Sequence, residues 1–340
     1  MEELRSEFNE RYSLTARKVF RIVSGDSRTK ITKIAEMLNV SRRTAALKLA
    51  AMERELKLHY ILEFDEEKLG LNRPHLVLAK FNDKPDWKVI SQLLGKSHIP
   101  QLAVAISGTY DLLIYANALS GMEYAHWDKN MQTLLAPYKV EWHSSEVVHR
   151  QLGFFPLRNE IIEKTGIKQK YKRMLFILNR NSRISFQQLA KELGMNVNTV
   201  VYNFNNLVRL GYIRSFTTTM DVPKDISLMT FFSKYTPSEG YENASAIARR
   251  AFTSDDANPL ISRYLITAPL VGSFDFFTLG AFDDKDIAYK HDVAYHKGIF
   301  RKYNVKMIYG EVREILVGML PIRSIDTKTD YKTLVWNAEG

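Results

Sequence analysis

The sequence repeats itself, and this repeat restricts the possible folds more than any other feature. At a shift of 165 residues, five positions carry the same residue twice: Tyr138/Tyr303, Val140/Val305, Glu146/Glu311, Gly153/Gly318 and Pro156/Pro321. Another set aligns at a shift of 155: Ala35/Ala190, Leu38/Leu193, Asn39/Gly194, Ser41/Asn196 and Thr44/Thr199. We therefore predict two halves with the same order of elements, which suits a 340-residue chain that is too long for one ordinary domain.

Each half begins with a helix-turn-helix pattern. In the first half, residues 31–38 carry apolar side chains at helical spacing, and Asn39-Val40 allows a tight turn into a helix that begins at Ser41. The Ser41 hydroxyl is a good N-cap because it can accept a hydrogen bond from a first-turn N–H. The apolar positions of this second helix predict a buried face made of Thr44, Leu47, Met52 and Leu56. The basic side chains of Arg42, Arg43 and Lys48 lie away from that face.

The same signal returns in the second half. A helix begins near Met174, and the next helix-turn-helix has its second helix starting at Asn196. A short apolar strand follows each helix-turn-helix, over residues 60–64 and around Phe216. We expect both strands to serve as wings, which makes each unit a winged helix-turn-helix.

The remaining segments alternate in the order strand, helix, strand, strand, helix, strand. In the first half the strands are predicted at 76–81, 102–106, 112–116 and from 147 onward, and the helices at 87–94 and 122–135. In the second half the strands are predicted at 229–234, 264–267, 276–281 and from 312 onward, and the helices at 244–252 and 287–301. This βαββαβ order is the ferredoxin-like arrangement.

The predicted fold class is α+β, with two tandem copies of a winged helix-turn-helix plus a ferredoxin-like domain. The helix-turn-helix domains are placed at residues 1–66 and 173–221, with residues 2–13 as a polar helical lead-in to the first. The ferredoxin-like domains are placed at 67–157 and 222–322, a helical linker at 158–172, and a C-terminal tail at 323–340.

Charge and composition favour a polyanionic partner. The net charge is +10, and it is concentrated in residues 1–60, with 13 Lys/Arg against 8 Asp/Glu, and in residues 160–215, with 10 against 3. The absence of cysteine excludes disulfides, thiolate metal sites and cysteine nucleophiles. The polar start predicts no signal peptide, and Pro269, Gly272 and Asp275 make the apolar stretch 264–282 a hairpin rather than a membrane span. We expect a cytoplasmic protein.

Two turns complete a resemblance to a known family. Gly108-Thr109-Tyr110-Asp111 and Gly272-Ser273-Phe274-Asp275 occupy equivalent places in the two halves, and the matching smaller pieces are Tyr60-Ile61, Leu69-Gly70 and Gly211-Tyr212-Ile213. From about residue 14 to 321, the chain resembles the Lrp/AsnC, or feast/famine, transcription regulators. The resemblance implies DNA binding, amino-acid binding by the ferredoxin-like domains, and homo-oligomers. Because family members usually carry one copy and pair, this chain would imitate a dimer and assemble further as a dimer of pseudo-dimers.

The predicted partner is double-stranded DNA. Recognition helices meet base edges through their first turns, where arginine pairs with guanine and asparagine with adenine. Outlying cations suit phosphate contacts. The candidate DNA-binding residues are Arg28, Lys30, Lys33, Ser41, Arg42, Arg43, Thr44, Lys48, Arg183, Asn196, Asn198, Thr199 and Asn203. Asn203 stands where the first copy has Lys48, which makes equal binding by both halves doubtful; the alternative is that these are only solvated helix starts.

The two turns supply the candidate effector site. Its residues are Gly108, Tyr110, Asp111, Gly272, Phe274 and Asp275. Glycine permits backbone angles closed to other residues. The two aspartates either bind an ammonium group or hydrogen-bond within their own turns.

The function that the sequence predicts is a sequence-specific DNA-binding transcription regulator, modulated by an amino acid or another small effector. Neither a cofactor nor a metal is implied, since His126, His143, His149, His291 and His296 show no metal-ligand spacing. We therefore expect no enzymatic activity. Two alternatives stay open, namely a protein-binding adaptor and an enzyme, because sirohaem decarboxylases look like this same domain arrangement.

Overall fold

The computed structural model describes residues 14–148, 152–222, 226–237, 264–282, 285–286, 288–289 and 303–322. The first half contains α1 Leu14–Gly25, α2 Ile31–Leu38, α3 Arg42–Leu56, β1 His59–Phe64, β2 His75–Phe81, α4 Trp87–Lys96, β3 Pro100–Gly108, β4 Leu112–Ala116, α5 Gly121–Leu135, a 3₁₀ turn Ala136–Tyr138 and β5 Val140–Val147. The second half contains α6 Asn159–Lys164, α7 Gln169–Arg180, α8 Phe186–Leu193, α9 Val197–Arg209, β6 Ile213–Thr219, β7 Ser227–Pro237, β8 Tyr264–Gly272, β9 Phe276–Phe282 and β10 Tyr303–Val317.

Both helix-turn-helix units form with local signals that the sequence carries. The Ser41 hydroxyl accepts a hydrogen bond from the Thr44 N–H at 3.0 Å, and the Asn196 side chain caps α9 through the Asn198 N–H at 2.9 Å. The turn between the two helices of each unit uses a left-handed residue, Asn39 with φ 50° and Gly194 with φ 64°. Equivalent turns therefore place α3 and α9 in the same way on their supporting helices.

The buried face of α3 differs from the prediction. Its buried residues are Ala45, Leu49, Met52 and Leu56. Leu47, which we expected inside, has 61% of its surface exposed. The spacing explains the difference: the four buried residues follow intervals of four, three and four, which keep to one face of a 3.6-residue helix, whereas Leu47 is five residues from Met52.

The two predicted wing strands pair with each other instead of forming wings within their own units. β1 and β6 make a two-stranded antiparallel sheet in which Tyr60 is opposite Thr218 and Leu62 is opposite Phe216. The second helix-turn-helix also includes the predicted linker, since α6 and the start of α7 contribute Ile161, Ile162 and Tyr171 to its core. The first and second units are thus joined by a shared ribbon.

The other eight strands form a closed barrel in the order β10-β3-β4-β2-β5-β8-β9-β7. Its two halves meet where β5 pairs with β8 and where β10 pairs with β3. Side chains alternate across the wall: Leu76 and Leu78 of β2 face the interior cluster, whereas Val77 and Ala79 pack under α4 and α5. The barrel is thereby filled inside and covered outside in its first half.

Strand ends were the least accurate part of the prediction. β5 ends at Val147, where we expected it to begin, and β10 begins at Tyr303 rather than at residue 312. Both strands carry polar residues that hide their alternation. The β8-β9 hairpin confirms the interpretation of residues 264–282. The predictions for residues 2–13, 244–252 and 323–340 lie outside the described residues, as does nearly all of the helix expected at 287–301.

Two glycines lie directly against backbone carbonyls of the other half. Gly153, with φ +74°, lies so near the Leu265 carbonyl that a Cβ would be 2.0 Å from its oxygen. Gly318, with φ +80°, has the same relation to the Gln101 carbonyl oxygen. Because the pair Gly153/Gly318 is one of the sequence repeats, the repeat here marks a shared close approach.

Replacing Gly153 by alanine should destabilise the protein by at least about 2 kcal/mol, because the left-handed backbone and the clash with Leu265 act together. The control is Gly95→Ala: Gly95 lies in α4, a Cβ there would meet nothing within 4 Å, and alanine in a helix is favoured by about 1 kcal/mol. Urea unfolding of both variants measures the difference. Equal stabilities would contradict the packing described.

Candidate nucleic-acid interface

The two helix-turn-helix units meet through backbone and serine contacts that match across the repeat. The Ser27 N–H donates to the Phe216 carbonyl at 2.8 Å, and the Ser182 N–H donates to the Tyr60 carbonyl at 2.9 Å. The two serine hydroxyls are hydrogen-bonded to each other at 2.5 Å, and both serines are buried. Each unit is therefore held on the strand of the other half.

Arg28 and Arg183, which we call the reciprocal arginine pair, strengthen this contact. The Arg28 guanidinium donates to the carbonyls of Ser182, at 2.6 Å, and Ile184, at 3.2 Å. The Arg183 guanidinium donates to the carbonyls of Ser27 and, at 3.3 Å, Thr29. We predicted both arginines as phosphate contacts, and the structure corrects this: their donors are directed at the other unit.

The surroundings of the two arginines differ. Arg28 lies 4.9–5.7 Å from the ring centres of Phe186, Phe204 and Phe216, an arrangement that favours a cation–π contribution. Burial lowers the pKa of Arg28, Asp26 opposes this shift, and Arg183 adds to it. These neighbours make Arg28 part of an aromatic core.

Among the described residues, Arg183 has one aromatic partner, Tyr60, whose ring centre is 5.2 Å from the guanidinium. The Tyr60 hydroxyl donates to the Glu53 carboxylate at 2.5 Å, and burial together with that bond raises the pKa of Tyr60. Glu53 lies in α3, so Arg183 is linked to the first recognition helix through Tyr60.

The first recognition helix presents cations to solvent. Arg42 and Arg43 are exposed in its first turn, and Lys48 is partly exposed one and a half turns later. Lys30 and Lys33, before and within α2, are also exposed, although Lys33 lies 3.8 Å from Glu36. These side chains are accessible to solvent, and their contact with DNA stays a prediction.

The second recognition helix presents a neutral surface. Asn198 and Thr199 are exposed as expected, but Asn203 is only 5% exposed, and its amide oxygen accepts a hydrogen bond from Lys170 at 3.2 Å. Asn203 shares the buried face of Val200 and Leu207, so the prediction that it contacts DNA is corrected. Sequence reasoning missed Tyr202, which is 66% exposed. The helical spacing of the buried Val200 and Leu207 places Tyr202 on the opposite, exposed side of α9.

The predicted effector aspartates hold neighbouring strands. An Asp111 carboxylate oxygen accepts from the Phe81 N–H at 2.8 Å, and an Asp275 carboxylate oxygen accepts from the Tyr235 N–H at 2.8 Å. The Lys234 ammonium lies 3.1 Å from the other Asp275 oxygen. This geometry favours a structural role for both carboxylates, with bonds to the adjacent strand rather than within the turn.

The glycines and aromatic residues of the same two turns lie at the junction of the halves. A Cβ on Gly108 would be 2.3 Å from the Tyr309 carbonyl oxygen, and one on Gly272 would be 2.9 Å from that of Ser144. Tyr110 and Phe274 meet edge to face at 6.2 Å, and His143 lies 5.4 Å from Tyr110. Burial raises the pKa of Tyr110, and nearby Glu141 adds to the shift. The phenol is consequently harder to ionise than that of a free tyrosine.

Within the described residues, no group of three or more His, Asp or Glu side chains is arranged to hold a metal ion. In the same part of the chain, no helix is long and apolar enough to cross a membrane.

Comparisons with known proteins identify one domain and one whole-chain fold. Residues 172–214, in the second unit, match the winged helix-turn-helix DNA-binding family. No curated protein matches the sequence significantly. The crystal structure of the siroheme decarboxylase NirDL is similar over 96% of this chain and 97% of that chain, with 10% identity and a TM-score of 0.58.

Two further structures complete the comparison. The complex of NirDL with an iron-uroporphyrin III analogue matches 96% of this chain and 100% of that chain at 11% identity, again with a TM-score of 0.58. An AsnC family transcriptional regulator from Agrobacterium tumefaciens matches 42% of this chain and 94% of that chain, with 17% identity and a TM-score of 0.37.

The sequence analysis excluded an enzyme, and this exclusion is wrong. The structures that match nearly its whole length are those of a decarboxylase, so this arrangement of domains does support catalysis. Our sequence argument relied on the absence of metal-binding and nucleophile motifs, and that absence does not exclude an enzyme.

The substitution Arg28→Ala should cost about 2–4 kcal/mol of unfolding free energy, because it leaves two carbonyls unpaired and removes the cation from its aromatic neighbours. Lys30→Ala, which removes an exposed charge two residues away, should change stability by no more than about 0.5 kcal/mol. Denaturant titration of both variants tests this. A loss in Arg28→Ala no larger than in the control would show that the pair does not hold the units together.

Proposed function

We propose that the protein is a sequence-specific DNA-binding transcription regulator in which one chain presents two helix-turn-helix units. The match of the second unit to a winged helix-turn-helix DNA-binding family supports the class of function. The exposed first turn of α3, with Arg42 and Arg43, is the observation that carries the proposal. Arginine in the first turn of a helix in the major groove is well placed to read guanine.

We propose further that the two halves are tandem copies of one helix-turn-helix plus ferredoxin-like unit, paired as two chains of an Lrp/AsnC dimer would be. The recurring order of elements, the matched serine contacts and the pair Gly153/Gly318 support this reading. A further association of such chains into a homo-oligomer belongs to the same proposal.

The two recognition helices have different roles in this proposal. α3 supplies cations, whereas α9 exposes Asn198, Thr199 and Tyr202 without a charge in its first two turns. The first helix would thus provide most of the electrostatic affinity, and the second would add amide and aromatic contacts. An amino-acid effector near Asp111 and Asp275 stays a prediction from the family resemblance.

DNA binding of the double variant Arg42→Ala/Arg43→Ala tests the proposal. We expect its affinity for the preferred genomic fragment to fall by at least about 30-fold, since each of the two lost base contacts costs about 1–3 kcal/mol. The control Lys88→Ala/Lys129→Ala removes the same charge from exposed positions on α4 and α5 and should bind as the wild type does. Fluorescence anisotropy across a salt series gives both affinities.

The same series separates phosphate contacts from base contacts. Lys30→Ala/Lys33→Ala should weaken all fragments alike and reduce the slope of log affinity against log salt by up to about 2. Asn198→Ala/Thr199→Ala reports whether α9 contributes. A wild-type protein that retains no DNA fragment even at low salt would overturn the regulator proposal.

A second candidate function is decarboxylation of a tetrapyrrole, favoured by the whole-chain fold and by the Tyr110–His143 contact inside the barrel. In such a reaction, the bond to a carboxylate breaks, carbon dioxide leaves and the carbon takes a proton, which a protonated Tyr110 can supply. It ranks second because the described interior is filled by stacked rings, with Tyr115 and Phe155 only 3.8 Å apart. A tetrapyrrole would have to displace them.

Incubation with sirohaem under anaerobic conditions tests this candidate. If it is correct, mass spectrometry shows the loss of carbon dioxide from the tetrapyrrole, and Tyr110→Phe slows that loss. Unchanged sirohaem, with no absorbance change on mixing, would dismiss the decarboxylase and leave DNA binding unaffected.

A further inference from the structure

The exposed side of α3 carries three apolar side chains, a feature that the arginines of its first turn do not explain. Ala46, Leu47 and Ala50 are all exposed, and Leu47 has 61% of its surface open to solvent. Because Ala50 lies four residues after Ala46 and three after Leu47, the three share one side of the helix, away from the buried Leu49 and Met52. We call these three residues the apolar stripe of α3.

Cations lie at both ends of the apolar stripe. Arg43 comes one turn before it on the same side of α3, since it lies three residues before Ala46 and four before Leu47. Arg54 comes one turn after Ala50, and its side chain is largely exposed. A second copy of this chain would bring the same cations, and like charges oppose contact through this face. The charge around the stripe therefore fits a polyanion such as DNA.

The size of the stripe suits the major groove. Two of its three members are alanines, which allow the helix backbone to come close to the base edges, and Leu47 is the one long side chain of the three. From Arg43 to Ala50 the helix rises about 10 Å, which equals about three base-pair steps of 3.4 Å. One side of α3 can therefore face three successive base pairs.

Thymine is the base that an apolar side chain recognises best in the major groove. Its C5-methyl group projects into that groove, whereas the other bases present hydrogen-bond donors and acceptors there. A donor or acceptor covered by Leu47 would lose water without gaining a new hydrogen bond. A methyl group against Leu47 instead removes apolar surface of both molecules from water, which is favourable.

The second recognition helix presents a different face. At the positions that the 155-residue shift aligns with Leu47 and Ala50, α9 exposes Tyr202 and Asn205. These side chains bring a hydroxyl and an amide group to the places where α3 has only hydrocarbon. Of the two recognition helices, α3 is therefore the one suited to reading a methyl group.

On the basis of the proposed DNA-binding function, we propose that Leu47 contacts the C5-methyl group of a thymine in the major groove. Ala46 and Ala50 allow the close approach. The rise of about 6 Å between Arg43 and Leu47 places this thymine about two base pairs from the base that Arg43 reads. Leu47 is thereby a specificity-determining residue, which selects thymine without a hydrogen bond.

Replacing single thymines by uracil in the preferred genomic fragment tests the contact, because uracil lacks only the methyl group and keeps the hydrogen bonds of thymine. We expect one such replacement to weaken wild-type binding about 3- to 5-fold in fluorescence anisotropy, the effect of one buried methyl group. In Leu47→Ala the same replacement should change affinity by less than about 1.5-fold, since the two groups act as a pair. Leu47→Met keeps a long apolar side chain and should retain most of the sensitivity.

Two properties of the chain make these variants interpretable. Alanine is the best helix former and Leu47 is exposed, so Leu47→Ala should fold as the wild type does. The control Leu134→Ala removes another leucine, 47% exposed, from α5 of the barrel. It should leave both the affinity and the uracil effect as they are in the wild type.

The outcomes separate this contact from the regulator proposal itself. Specific binding that requires Arg42 and Arg43, but shows no uracil effect that Leu47→Ala removes, overturns the methyl contact and leaves the regulator proposal standing. A wild-type protein that retains no fragment at low salt overturns both. If Leu47→Ala keeps the uracil effect but lowers the oligomeric state in sedimentation velocity, the stripe is an interface between copies and the methyl contact is wrong.

Discussion

The antiparallel pairing of β1 with β6 is the contact on which the arrangement of the two helix-turn-helix units depends. It brings Ser27 next to Ser182 and lets the reciprocal arginine pair reach carbonyls of the opposite unit. The arginines bind backbone carbonyls, which every residue provides, so side chains nearby are free to differ. Two units that share few residues can thereby keep the same relative position.

The two sides of the contact differ in their surroundings. Arg28 is surrounded by three phenylalanine rings, whereas Arg183 lies on Tyr60, which is tied to the first recognition helix through Glu53. The recognition helices differ in the same sense, since α3 is cationic and α9 is neutral in its exposed first turns. In the proposed regulator, a similar scaffold with unlike surfaces would suit an asymmetric DNA target.

Local signals made the helix-turn-helix units and the order of strands predictable. Helical spacing, the Ser41 and Asn196 caps and the glycine turns act within a few residues, so the sequence shows them directly. The pairing of β1 with β6 is a contact between segments about 155 residues apart, and no local pattern distinguishes it from a wing. The roles of Arg28 and Arg183 follow from that pairing, and for this reason they were mistaken for phosphate contacts.

Two other errors concern the side of a helix on which a residue lies. Leu47 was placed on the buried side because an interval of five was accepted, and Asn203 on the exposed side because it aligns with Lys48. The buried residues of α3 and α9 instead recur at three and four. The indole N–H of Trp127 could not have been found in this way, since only packing shows that a donor is buried without a partner. Sequence patterns thus locate elements and faces, whereas unmet hydrogen bonds emerge only when the faces are packed together.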